Sequence, residues 1–155
     1  MHHFKSFTNS VANMATNLTK DLSLPSDDGK CTGKQYTFGS RSVVEERLLS
    51  EGGFGFVHLV RDIRSNQQFV IKKILCQDKE RYEVACREVE LFEKLPVHPN
   101  LVKYYGHLIE RNSAHREVII LMEFCPGGHL YDMMLRHKGC VPETEIVRAL
   151  RDITK

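Results

Sequence analysis

Long apolar runs are missing from this chain of 155 residues: none approaches the ~20 residues that a membrane-crossing helix needs. Charge of one sign is equally scarce. The 22 lysines and arginines are interleaved with 20 aspartates and glutamates, for a net charge of +2. That balance falls short of the basic footprint of a nucleic-acid binder, so no nucleic-acid partner is expected. Paired cysteines are also missing. The five present (Cys31, Cys76, Cys86, Cys125, Cys140) are odd in number and contain no Cys-x-x-Cys. A disulfide framework and a zinc site are therefore not expected, whereas reduced thiols in a cytoplasmic protein are. The eight histidines show no ligand spacing, and no metal site is expected among them. Asn17-Leu18-Thr19 matches a glycosylation sequon, but no secretory signal precedes it, and Met1-His2 excludes an N-myristoyl glycine.

What is present begins with a core. At 41% hydrophobic, the chain is long enough for one domain with a real interior. Residues 1–33 differ in kind, being rich in Ser, Thr and Asn and passing into a linker with Pro25, Asp27-Asp28 and Gly29. Phe4, Phe7, Val11, Met14 and Leu18 nevertheless recur at helical spacing, flanked by Lys5 and Lys20. Three readings of this segment stay open: a disordered tail, an amphipathic helix docking on a membrane surface or a partner, and a transit peptide, which the lack of arginine weakens.

The most informative stretch is Leu49-Ser50-Glu51-Gly52-Gly53-Phe54-Gly55-Phe56-Val57. After Gly55 the residues alternate, run into a polar turn over 61–68, and are followed by the apolar stretch Phe69-Val70-Ile71. That is strand, turn, strand, so the glycines belong to a hairpin. A dinucleotide fingerprint would open a helix at this point, and a Walker loop would close on Gly-Lys-Ser/Thr; neither occurs. Glycines here let backbone N–H groups approach phosphates with no Cβ in the way. The alternative is a glycine-rich hairpin that holds nothing.

Lys72 closes the apolar strand, and Lys73 beside it is expected to surface at the strand tip. A helix is expected over 79–95. Glu83, Arg87, Glu90 and Lys94 recur at helical spacing with alternating sign, which suits a solvated face. Val84, Glu88, Leu91 and Leu95 make an inward stripe, widened by Ala85, Val89 and Phe92. A carboxylate set in such a stripe needs a cation, because an unpaired buried charge costs several kcal/mol. Lys72 is the candidate; the other reading lets Glu88 reach water at the edge of the stripe.

His98-Pro99-Asn100 ends the helical region. Leu101–Tyr105 reads as a strand, Leu108–Arg116 as a polar connection, and Val118–Met122 as a buried strand leading to Glu123-Phe124-Cys125. Pro126-Gly127-Gly128 then breaks regular structure and leaves backbone donors and acceptors that an adenine edge could use. A short helix is expected near Leu130–Arg136 and another after Pro142, with Ile146, Leu150 and Ile153 on one face.

Glycine loop, strand lysine and helix glutamate in that order resemble the N-terminal lobe of a eukaryotic protein kinase, over residues 34–155. Glu-Gly-Gly-Phe-Gly, the Ile-Leu-Cys after the lysines, and Leu-Met-Glu-Phe-Cys-Pro-Gly-Gly are most similar to the numb-associated kinases, which include the cyclin-G-associated and clathrin-adaptor-associated kinases. The resemblance implies an α+β fold: a twisted antiparallel five-stranded sheet with one packed helix over 34–125, then a hinge and the first helices of a truncated C-lobe over 126–155. It implies ATP as cofactor, Mg²⁺ in the complete kinase, serine/threonine specificity, and a protein substrate or clathrin-adaptor-type partner. It also implies a nucleotide site of Leu49, Ser50, Glu51, Gly52, Gly53, Phe54, Gly55, Val57, Val70 and Lys72, with Glu88 as the ion-pair partner of Lys72. Met122 would be the gatekeeper, and the Glu123 carbonyl and Cys125 amide the hinge contacts. Two positions depart from the kinase pattern. Ser50 replaces the usual first glycine, and Val70 replaces the alanine above the adenine, narrowing the pocket. No His-Arg-Asp, Asp-Phe-Gly or Ala-Pro-Glu occurs in the 155 residues, so the chain by itself is expected to be inactive. A non-catalytic interaction module built on the same lobe is the rival expectation.

Overall fold

The computed structural model describes residues 33–53, 55–111, 115–138 and 140–154. The apolar repeat from Phe4 to Leu18 and the loop residue Phe54 lie outside them. In chain order the elements are β1 (Gln35–Phe38), β2 (Arg41–Gly52), β3 (Gly55–Asp62), β4 (Gln68–Cys76), α1 (Lys79–Lys94), β5 (Tyr104–Arg111), β6 (Arg116–Glu123), α2 (Leu130–Arg136) and α3 (Glu143–Ile153). The described strands form one antiparallel sheet in the order β1-β2-β3-β4-β6-β5.

The sheet has six strands where five were expected. The added strand is β1, a four-residue segment joined to β2 by the turn Gly39-Ser40, with Gly39 at φ +59°. Tyr36 and Phe38 alternate inward at 2% and 7% exposure, and this burial holds so short a strand in place. The sheet curls far enough for β1 to reach β5. The Phe38 ring packs over Gly106, and Lys34 Nζ lies 2.5 Å from Glu110. A second correction concerns β5. It begins at Tyr104 rather than Leu101 and continues to Arg111, through residues expected to form a connection. Their polar side chains sit on an edge strand with one face toward water, so the segment pairs without being apolar.

Two cores flank the sheet. Inside the curl, Tyr36, Phe38, Val43, Val60, Phe69, Ile71, Ile119 and Leu121 pack together. Each large apolar side chain fully buried there contributes about 1.5–3 kcal/mol. On the opposite face, Cys76, Val118 and Ile120 meet Ala85 and Val89 of α1. Helix α1 starts at Asp78, whose carboxylate accepts from the Arg81 N–H at 2.7 Å, and stops at Leu95 because Pro96 follows. Its buried stripe is centred one position from the expected one. Ala85 and Val89 are buried, whereas Val84 and Leu91 are more than half exposed.

Candidate functional site

Alternation along β4 puts Val70, Lys72, Ile74 and Cys76 on the face that meets α1. In the register, Ser50 pairs with Val57, Val57 with Lys72, and Lys72 with Ile120. Residues paired directly across antiparallel strands share a face, so Ser50, Val57 and Lys72 form one row on the helix side of the sheet. Opposite that row, Glu88 follows the buried Ala85 and precedes the buried Val89 on α1. Lys72 Nζ donates to Glu88 Oε1 at 2.6 Å and to Oε2 at 2.9 Å. The two side chains keep 21% and 30% exposure. A pair this accessible contributes little to stability. What it does is hold an ammonium at a fixed place beside the glycine hairpin.

The hairpin of β2 and β3 closes where Gly52 pairs with Gly55. Gly55 has no substitute: its φ is +119°, and a Cβ there would lie 1.9 Å from the Lys73 carbonyl oxygen. Gly52 and Gly53 face open space, with nothing within 4 Å of an added Cβ. A bulge between Leu48 and Ser50 bends β2 just before the tip. Leu49 and Ser50 are half-buried and Glu51 is exposed. Gly52, Gly53 and Gly55 therefore present backbone with no side chain at this end of the hairpin.

A second row crosses the sheet one step along: Leu59, Val70, Met122 and Tyr104. Leu59 is 3% exposed and Val70 8%, which makes an apolar floor beside Lys72. At the end of β6 the Glu123 N–H donates to the Lys103 carbonyl at 2.9 Å, and the Glu123 carboxylate accepts from the Lys103 N–H at 3.2 Å. Cys125 is exposed, and among the described residues nothing accepts from its N–H. Beyond the break, Gly128 takes φ +77° and His129 N–H donates to Asp132 at 2.8 Å, which starts α2. Asn100 Nδ2 donates to the Asp152 carbonyl at 2.7 Å and so ties α3 to the segment after α1.

Sequence reasoning missed a second polar cluster, inside the curl. Lys73 does not surface. Its side chain is 12% exposed and pairs with Glu45 of β2, while its ammonium lies 5.3 Å from the Tyr36 ring centroid. Tyr36 Oη donates to Glu45 Oε1 at 2.8 Å. Burial and then the Glu45 hydrogen bond push the Tyr36 phenol far above its ordinary value. Burial alone would raise Glu45, but the hydrogen bonds from Lys73 and Tyr36 outweigh it and hold the carboxyl below its usual range. Burial and then the Lys73 charge depress His58, which is neutral at pH 7. No sequence pattern marked this cluster: the pairing of β1 with β2, which sets Tyr36 opposite Val43, assembles it.

Residues 43–155 match the family model described as the protein kinase domain. Over 132 residues, 84% of the chain, it is 39% identical to a probable serine/threonine-protein kinase of Dictyostelium discoideum. Over 126 residues, 78% of the chain, it is 36% identical to a serine/threonine-protein kinase of Schizosaccharomyces pombe. The chain spans 15% and 13% of the lengths of these two relatives.

Proposed function

Because the chain belongs to the protein kinase domain family, we propose that residues 34–125 are the ATP-binding part of a serine/threonine protein kinase. The observation that carries this is the Lys72–Glu88 pair, set on the same sheet face as Ser50 and Val57 of a hairpin that carries Gly52, Gly53 and Gly55 at its end. Residues Gly52, Gly53 and Gly55 would offer N–H groups to the phosphates, with Leu49, Ser50, Glu51 and Phe54 completing the loop. Lys72 would hold the phosphates as Glu88 holds Lys72. Val57 and Val70 would pack on the adenine, Met122 would limit the pocket behind it, and the Glu123 carbonyl and Cys125 N–H would take its edge.

Bound ATP, with Mg²⁺, supplies the phosphoryl group and the countercharge that its transfer to a protein hydroxyl needs. This chain's own residues orient it: the apolar row excludes water from the adenine side, and the ammonium is fixed before nucleotide arrives. A catalytic base and metal ligands of the kinase type are not among the 155 residues. We therefore propose phosphoryl transfer for the whole kinase and nucleotide binding for this chain. Within the family we favour the numb-associated group, on Glu-Gly-Gly-Phe-Gly and the Cys-Pro-Gly-Gly that follows β6. That carries a clathrin-adaptor-type partner and a cytoplasmic, membrane-peripheral setting with it. A non-catalytic module is the second reading, in which the apolar face that α3 exposes at Ile146, Val147, Leu150 and Ile153 would dock a partner.

Thermal unfolding of residues 1–155 with and without ATP tests the proposal. At a hundred times its dissociation constant a ligand adds about 2.7 kcal/mol to stability. The shift is expected for the native chain and not for Lys72→Met. No shift at saturating ATP would turn the reading to the non-catalytic module.

A further inference from the structure

Position 50 carries a side chain on the nucleotide face of the hairpin. Ser50 pairs with Val57 and Val57 with Lys72, so the Ser50 hydroxyl and the Lys72 ammonium leave the same side of the sheet. Two strand spacings separate their Cα atoms, about 9–10 Å. An extended lysine and a phosphorylated serine together span that gap. The bulge between Leu48 and Ser50 interrupts the ladder at this point, and a Cβ added at Gly52 or Gly53 would meet nothing within 4 Å. The segment can therefore lift from β3 without disturbing either core. Arg47, exposed and three residues earlier, offers a modifying enzyme a cation to grip.

We propose that Ser50 is a phosphorylation site, and that its phosphate closes the nucleotide site by taking the place of a nucleotide phosphate on Lys72. This rests on the nucleotide-site reading above. A separate ATP-dependent protein kinase makes the modification. A bond forms between Ser50 Oγ and the γ-phosphorus of ATP, the bond to the departing ADP breaks, and the hydroxyl proton passes to solvent. The product carries about −1.5 to −2 charges at pH 7. It competes with Glu88 for the ammonium and repels incoming triphosphate, so one modification both occupies the cation and blocks the entrance. An ordinary glycine at this position could not be switched in this way.

The test installs phosphoserine at position 50 of the full chain by genetic encoding and follows the phosphate by ³¹P NMR against pH. The second ionisation of an exposed phosphoserine lies near pH ~6. Held on Lys72 it is expected clearly lower, to return to the exposed value in Lys72→Met, and to stay low in Lys72→Arg, which keeps the cation. ATP affinity, measured separately by calorimetry, is expected to fall at least tenfold on phosphorylation. An unshifted phosphate, the same with and without Lys72, would overturn the proposal. ATP binding by the unmodified chain would then still leave the nucleotide site standing. Failure of the unmodified chain to bind ATP would sink that reading instead, and with it the proposed switch.

Discussion

Replacing Glu45 with alanine strikes the buried cluster that joins three strands. The carboxylate is 17% exposed and the Lys73 side chain 12%, so its removal strands a cation with little access to water. Breaking a buried ion pair in this way costs about 3–5 kcal/mol, and the residual exposure puts this one near the lower limit. The Tyr36 hydroxyl loses its acceptor as well, for about 1 kcal/mol. A total of about 3–4 kcal/mol lowers the melting temperature of a domain this size by about 12 °C. Glu45→Gln keeps acceptor oxygen for Tyr36 and should cost about half as much. In a cycle with Lys73→Met, the double variant should be more stable than the sum of the singles by about 2 kcal/mol. The folded carboxyl is held below its ordinary value, so its contribution is present above pH ~4.3 and fades as acid protonates it. Urea unfolding of the native chain, Glu45→Ala, Glu45→Gln, Lys73→Met and the Glu45→Ala/Lys73→Met double variant at pH 7 and pH 4 measures all of this. Additive single effects, or a Glu45→Ala cost under ~1 kcal/mol, would mean that solvent already screens the pair and that Lys73 is not buried as described.

Gly55→Ala forces a Cβ against the Lys73 carbonyl at φ +119°; it should cost about 3 kcal/mol or more in urea unfolding, and a neutral result would deny the tight approach of the hairpin to β4. Asp62 accepts from the Ser65 and Arg64 N–H groups at 2.8 Å each, and these bonds, Ser65 first, with Arg41 beside them, hold its carboxyl below the usual range. That stability is present above pH ~3.9 and lost as pH falls through the lower folded value, so Asp62→Asn should cost about 1–2 kcal/mol at pH 7 and progressively less in acid. Helix α3 exposes 57% of Leu150 and 74% of Ile153. Sedimentation should show the chain associating with concentration, and Leu150→Lys with Ile153→Lys suppressing it; a native chain that stays monomeric at high concentration would show that this face is too small to drive association.

The parts of this fold visible in the sequence are those whose signals are local. The β3–β4 hairpin announces itself by alternation and a polar turn, and α1 by the sign pattern of Glu83, Arg87, Glu90 and Lys94. The pairing of Lys72 with Glu88 followed from the cost of leaving a carboxylate alone on a packed helix. Strand β1 carries only two inward residues, Tyr36 and Phe38, too few for a pattern, and it forms because the curled sheet offers them a core. Strand β5 includes Gly106, His107, Glu110 and Arg111, and on an edge those residues satisfy water on one face and β6 on the other. The phase of α1 was off because Val84 and Leu91 extend the apolar arc past Ala85, Val89 and Phe92. Periodicity finds such an arc but not which part of it meets the sheet. Lys72 and Lys73 are adjacent and alike in sequence. Strand alternation sends them to opposite faces, and only pairing with Glu45 across β2 and β3 reveals that the second is buried too.

The most direct test of the nucleotide site is an NMR titration of residues 1–155 with ATP, followed at the backbone amides. Shifts confined to Gly52, Gly53, Gly55, Lys72 and the Glu123–Cys125 segment, saturating together and absent in Lys72→Met, are the expected result. Unchanged amides in the glycine hairpin at saturating ATP, or shifts gathered instead on α3, would contradict it.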